Sequence, residues 1–82
     1  MSWYVYIIQS SDNSYYTGIT TDLERRFKQH ANGCGAKYFN GRTPIKIVYK
    51  EVGHSKSSAG KREAKIKKLT KEEKENLIKT NN

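Results

Sequence analysis

A chain of 82 residues has room for one domain with a thin core. Six tyrosines argue against disorder, and one cysteine excludes an internal disulfide or a multi-cysteine zinc site. A net charge of +8 favours a polyanionic partner, while no apolar run approaches the roughly 20 residues of a membrane span.

The charge is unevenly placed. Before Arg25 the only charged side chains are Asp12, Asp22 and Glu24, and every Lys and Arg lies from Arg25 onward. A localised basic surface suits nucleic acid. The alternative is a solvated lysine-rich face that aids solubility. The start, Met1-Ser2-Trp3-Tyr4-Val5, shows no signal-peptide pattern, so a cytoplasmic protein with no membrane partner is expected.

Trp3 to Gln9 is β-branched and aromatic and reads as a strand, apolar on both faces and so covered on both. Ser10 to Ser14 is a polar turn, and Tyr15 to Ile19 a second strand completing a hairpin. Thr21 and Glu24 have capping-box spacing. A helix follows to Ala31 with Leu23, Phe27 and Ala31 on one stripe, and Asn32-Gly33 ends it. Gly33 to Pro44 is a loop with room for one helical turn around 36–39. Ile45 to Val52 is a third strand, alternating Ile45, Ile47 and Tyr49 against Lys46, Val48 and Lys50. Gly53 to Ser58 links to a second helix from Ser58 to Leu69. Thr70 and Glu73 cap a third helix that turns Leu77 and Ile78 inward, and Asn81-Asn82 should fray. The order ββαβαα gives an α+β fold: a small three-stranded, mainly antiparallel sheet flanked by helices, one domain over residues 1–80.

Three elements carry candidate chemistry. A hairpin centred near Asp12 puts Tyr6 and Tyr16 on one sheet face, with Gly18 opposite Tyr6 leaving space beside its ring. They are either two phenols aimed at one ligand or ordinary half-buried strand aromatics. On the first helix Arg26 and His30 are four apart and border the Leu23–Phe27 stripe, whereas Arg25 points about 100° away. Arg26 suits phosphate and His30 can move a proton near neutral pH. On the second helix, with Ala59 at zero, Ile66 lies near about −20°, Leu69 near about −80° and Glu63 near about +40°. A carboxylate at the edge of an apolar arc needs a partner. That partner is either Arg26, in a salt bridge, or a metal; a lone carboxylate with waters and substrate phosphate suits Mg2+.

Tyr4-Val5-Tyr6 followed by Tyr16-Thr17-Gly18 resembles the paired signature of the GIY-YIG nuclease superfamily. Asp22 to His30 resembles its helix, with Arg26 and His30 at the matching positions, and Glu63 matches its metal-binding glutamate. The likeness covers about residues 3 to 78, and Gly35 to Tyr38 with Gly41-Arg42 looks most like the short stand-alone bacterial branch. The chain departs from the pattern in placing Tyr4 at the first Gly, and a late Asn has no clear counterpart, since Asn76 does not align.

The resemblance implies a metal-dependent endonuclease that hydrolyses phosphodiester bonds with one Mg2+ or Mn2+ on Glu63. Tyr6 and Tyr16 would orient the attacking water, Arg26 would hold a non-bridging oxygen, and His30 would relay a proton or position Tyr6. Proximity to Arg26 and the metal would favour phenolate. Lys37, Arg42, Lys61, Arg62, Lys65, Lys67 and Lys68 would contact the backbone of nucleic acid, DNA in preference to RNA. The alternatives are a nucleic-acid-binding module with weak or no cleavage, and a subunit whose specificity comes from a protein partner.

Overall fold

The computed structural model describes residues 2–33, 37–39 and 41–80. The sheet has the order β2-β1-β3, with β1 (Trp3–Ser10) between β2 (Tyr15–Thr20) and β3 (Pro44–His54). Both pairings are antiparallel. Helices α1 (Leu23–Ala31), α2 (Lys56–Lys67) and α3 (Lys71–Thr80) complete the expected ββαβαα order. A 3-10 turn at Lys37–Phe39 occupies part of the loop where one helical turn was expected; Ala36, with Cys34, Gly35, Asn81 and Asn82, falls outside the described residues.

The central strand explains why β1 is apolar on both faces. Val5, Tyr6, Ile7 and Ile8 are all buried. Val5 and Ile7 join Tyr49, Ala59 and Ile66 in one cluster, with Leu69, Leu77 and Ile78 packed around it from α2 onward. Tyr6 and Ile8 face the other way, with Phe39 and with Tyr16, Leu23, Phe27 and Ile47. Each fully buried aliphatic side chain contributes roughly 1.5–3 kcal/mol, so both layers matter to a chain this short.

Several boundaries differ from the sequence expectation. Helix α1 is capped by Asp22, not Thr21: Asp22 Oδ1 accepts from the Arg25 amide at 3.0 Å, and Glu24 pairs with Lys28 at 3.4 Å instead of reaching back. Helix α2 starts at Lys56, because Ser55 and Ser58 form a reciprocal capping box, and it ends at Lys67. The Thr70–Glu73 box forms as expected, with bonds of 2.9 and 3.2 Å. Strand β3 does not alternate simply. Ile8 pairs with Ile47 and Ile7 with Tyr49, so Val48 is an inserted residue. The insertion sends Ile47 and Tyr49 to opposite faces of the sheet. Two further irregularities leave Ile45 exposed and place Gly53 at a positive φ of 76°.

Candidate active site

The hairpin register puts Tyr6 opposite Gly18 and Tyr16 opposite Ile8, so the two phenols share a face. Glycine is needed at position 18: a Cβ there would stand 2.5 Å from Tyr6 Oη and 2.7 Å from its Cζ. Tyr6 is 2 % exposed, whereas Tyr16 is only half-buried. The ring centroids lie 6.3 Å apart.

Helix α1 packs over that face because Leu23 and Phe27 join its apolar cluster. His30, 2 % exposed in the last turn, is thereby carried to Tyr6, and Tyr6 Oη and His30 Nε2 are 3.0 Å apart. Its ring meets Tyr16 edge-on at 5.2 Å and Phe39 at 4.8 Å. One turn earlier, Arg26 is half-buried and Arg25 exposed, as the helical wheel requires. Arg26 Nε is buried and has no hydrogen-bond partner among the described residues. A cavity of about 230 Å3 beside it is lined by Thr20, Thr21, Asp22, Arg25, Arg26 and Gln29. A buried guanidinium nitrogen without a partner costs about 1–3 kcal/mol or more, which an anion entering that cavity would offset.

Glu63 arrives from the opposite helix layer. It is a quarter exposed, and its ion pair among the described residues is with Lys67, 3.5 Å away on the same helix; Arg26 is not its partner. Its charge nevertheless acts on both phenols. Burial pushes Tyr6 well above the ordinary phenol value; Tyr16 adds to the rise, Arg26 opposes it, and Glu63 adds again. Tyr16 is raised by burial and by Glu63, against the pull of Arg26. The expected easing toward phenolate is therefore outweighed: Arg26 acts in that direction, but burial is larger. His30 is lowered by burial and then by Arg26, which makes it a neutral imidazole at neutral pH.

Five side chains on four elements are thereby linked: Tyr6 touches His30, Arg26 acts by its charge on Tyr6, Tyr16 and His30, and Glu63 acts by its charge on Tyr6 and Tyr16. Among the described residues no three His, Cys, Asp or Glu side chains gather to hold a metal. The donor set fits a cation that keeps much of its water, since Glu63 offers one partly exposed carboxylate, and the separate cavity beside Arg26 has room for phosphate.

The basic residues divide into two groups. Lys37, Lys61, Lys65 and Lys68 are exposed. Arg42 instead bonds Asp12 at 2.6 Å and the Tyr38 carbonyl at 2.8 Å, while Arg62 bonds Glu51 at 2.7 Å. Tyr38 and Phe39 form a wall beside Tyr16, both at 5.2–5.3 Å between centroids. Nothing in the sequence alone singles out Phe39; an adjacent aromatic pair in a Gly-rich loop is the available signal.

Residues 2–76 match the model of the GIY-YIG catalytic domain. A UPF0213 protein from Clostridium perfringens is 55 % identical over 75 residues, spanning 92 % of this chain and 81 % of the relative. The solution structure of a UPF0213 protein from Bacillus halodurans is 45 % identical with a TM-score of 0.62, and that of a protein from E. faecalis is 41 % identical with a TM-score of 0.67. Each comparison covers 98 % of this chain and 85 % of the other. Among the described residues no helix is long and apolar enough to cross a membrane. The chain belongs to the GIY-YIG catalytic-domain family.

Proposed function

We propose that this chain is an endonuclease that hydrolyses phosphodiester bonds in nucleic acid, DNA in preference to RNA, with one Mg2+ or Mn2+ ion held at Glu63. One observation carries the proposal: a buried, unpartnered Arg26 Nε lies in the same cluster as a hydrogen-bonded Tyr6–His30 pair, Tyr16 and a partly exposed carboxylate. Phosphoryl chemistry needs a cation fork for the equatorial oxygens, an orienting group for water and a route for one proton.

In this reaction a water oxygen bonds to phosphorus and the bond from phosphorus to O3′ breaks. One water proton leaves to a base, and O3′ takes a proton from solvent. Tyr16, the phenol nearer solvent, orients the water. Tyr6 is buried behind it, and neutral His30 can accept the Tyr6 proton through their 3.0 Å contact. Arg26 holds a non-bridging oxygen where charge builds. A cation at Glu63 would supply polarisation of the phosphate and charge stabilisation at the leaving oxygen. Lys37, Lys61, Lys65 and Lys68 contact the backbone, which gives affinity without sequence choice. Arg42, Arg62 and Lys67 retain donors for the same task beyond their internal partners, and sequence choice falls to a protein partner.

The test is a panel of labelled DNA and RNA duplexes, branches and flaps incubated with Mg2+ or Mn2+. Wild type should nick in a metal-dependent way, and Glu63→Ala should bind but not nick. Equal nicking by both proteins rejects the proposal. A second function, binding with little cleavage, is favoured by one observation: both phenols sit above their ordinary value and so are neutral at neutral pH. Salt-sensitive binding by wild type without cleavage on any substrate would select it.

A further inference from the structure

Glu51 lies on β3, on the face away from the phenols, yet it gathers three partners. Its Oε2 accepts from Arg62 Nε at 2.7 Å and from the Tyr49 hydroxyl, and its Oε1 is 2.8 Å from His54 Nε2. His54 Nδ1 in turn is 2.9 Å from Ser58 Oγ, inside the α2 capping box. The carboxylate is 18 % exposed, so this is a part-buried, charge-assisted network. Burial works to raise the Glu51 pKa, and the bonds from Tyr49, Arg62 and His54 outweigh it, leaving Glu51 below the usual carboxylate value.

The network fixes α2 at two places, its first turn through Ser58 and its middle through Arg62. The middle contact matters most. Along α2 the buried line runs through Ala59 and Ile66. At about 100° per residue these lie near about 0° and about −20°, so the line is centred near about −10°. Arg62 falls at about −60° and Glu63 at about +40°, each about 50° from the line on opposite flanks. Arg62 is held against β3 by Glu51; Glu63, on the other flank, is the residue whose charge acts on the phenols of β1 and β2. Rotation of the helix about its axis that brings one closer to the sheet withdraws the other.

We infer that Glu51 is a positioning residue for Glu63: by holding Arg62 against β3 it sets the rotation of α2 and so the reach of the Glu63 carboxylate into the phenol cluster. The inference deepens the proposed nuclease site and rests on it for the consequence to catalysis. The placement of Glu63 can be read without any reaction. Three details favour a latch over a generic surface pair. The carboxylate is part-buried, its partner is the residue next to Glu63, and the same carboxylate reaches the helix start through His54.

The experiment is a two-by-two cycle of Glu51→Gln and Glu63→Gln. Its first readout is the set of Tyr6 and Tyr16 ring signals in NMR spectra at fixed neutral pH, using labelled tyrosine and no metal. Glu51→Gln should move both sets in the direction opposite to that of Glu63→Gln, because release of Arg62 lets the Glu63 carboxylate turn closer to the phenols. In the Glu63→Gln background the same substitution should move neither. Equal shifts in both backgrounds, or no shift from a folded Glu51→Gln, overturn the inference. If Glu51→Gln does not fold, Arg62→Lys replaces it; that variant keeps the charge but loses the fork, and its shifts should be smaller and in the same direction. Absence of those shifts overturns the inference equally.

The second readout is cleavage. Glu51→Gln should lower kcat about tenfold with KM within about twofold, since the variant misplaces a group without removing backbone contacts. An unchanged kcat in an enzyme whose ring signals have moved overturns the catalytic consequence. Wild type that cleaves nothing counts against the nuclease proposal alone, because the ring signals still decide whether Glu51 places Glu63.

Discussion

The two faces of the sheet are built from alternate residues of the same strand, and they differ in kind. Val5 and Ile7 look into a mostly aliphatic layer with Ala59 and Ile66, joined by the Tyr49 ring. Tyr6 and Ile8 look into rings: Tyr16, Phe39 and His30 stand within 4.8–6.3 Å of one another or of Tyr6. Each face buries a polar atom without a hydrogen-bond partner among the described residues: Thr17 Oγ1, opposite Ile7 on the aliphatic face, and Arg26 Nε on the ring face. The two differ in cost, since a neutral hydroxyl is cheaper to leave unmet than a nitrogen of a charged guanidinium. The unmet charged group beside a cavity is the stronger sign that stability has been set aside for function.

The largest effects should separate the faces cleanly. Ile66→Ala empties a fully buried position on the aliphatic side and should destabilise the fold by about 2–5 kcal/mol, read by urea unfolding. The surviving folded fraction should cleave at the wild-type rate. Arg26→Ala should do the reverse. It removes the charge facing the developing phosphate, so cleavage should fall about 100- to 1,000-fold. Its urea midpoint should hold or rise, because a buried, unpartnered nitrogen goes with it. A midpoint that collapses in Arg26→Ala would show that the ring face too is built for stability, and the contrast would fail.

Gly18→Ala tests where the faces are joined. The added methyl would sit 2.5 Å from Tyr6 Oη, closer than side chains approach, and in a tight 3.1 Å contact with Tyr16 Cε2. Overpacking of this kind costs about 1–3 kcal/mol. Because the atom that must give way is the Tyr6 hydroxyl, its 3.0 Å contact to His30 should be disturbed as well. Both unfolding midpoint and cleavage should therefore drop together, and a loss of stability alone would mean that Tyr6 adjusts without consequence.

The sequence made the order of elements legible because its signals were local: the Thr70–Glu73 box, Gly33 after α1, and a β1 apolar on both faces. It also placed Tyr6, Tyr16, Arg26 and His30, since strand parity and helix spacing decide which residues share a face. What it missed depended on partners distant in the chain. Simple alternation in β3 failed because Val48 is inserted opposite the Ile7–Ile8 step, which no residue in β3 announces. The Glu51–Arg62 bond spans eleven positions and gives a residue expected to contact the nucleic-acid backbone an internal partner as well. The phenols were expected to lean toward phenolate because their depth, unlike the nearness of Arg26, could not be read from spacing.

The smallest effect is one of pH. His30 is buried on the ring face, and burial followed by Arg26 holds its pKa below the ordinary 6.5. The unfolded chain therefore takes up a proton there more readily than the native one. The stability contributed by keeping His30 neutral is complete above about pH 6.5 and declines as the pH falls from there to the folded-state value. Within that window the slope is at most roughly 1.4 kcal/mol per pH unit for one proton. Unfolding of wild type and His30→Gln should be followed from pH 7.5 to pH 5, each pH chosen about half a unit apart. Wild type should lose stability across the window, and the variant should lose less, because its amide takes up no proton. Parallel curves would mean that acid acts elsewhere. Cleavage should fall with the wild-type curve, since a protonated His30 cannot accept the Tyr6 proton through Nε2, and this ties the weakest stability effect on the ring face to the same contact that the chemistry uses.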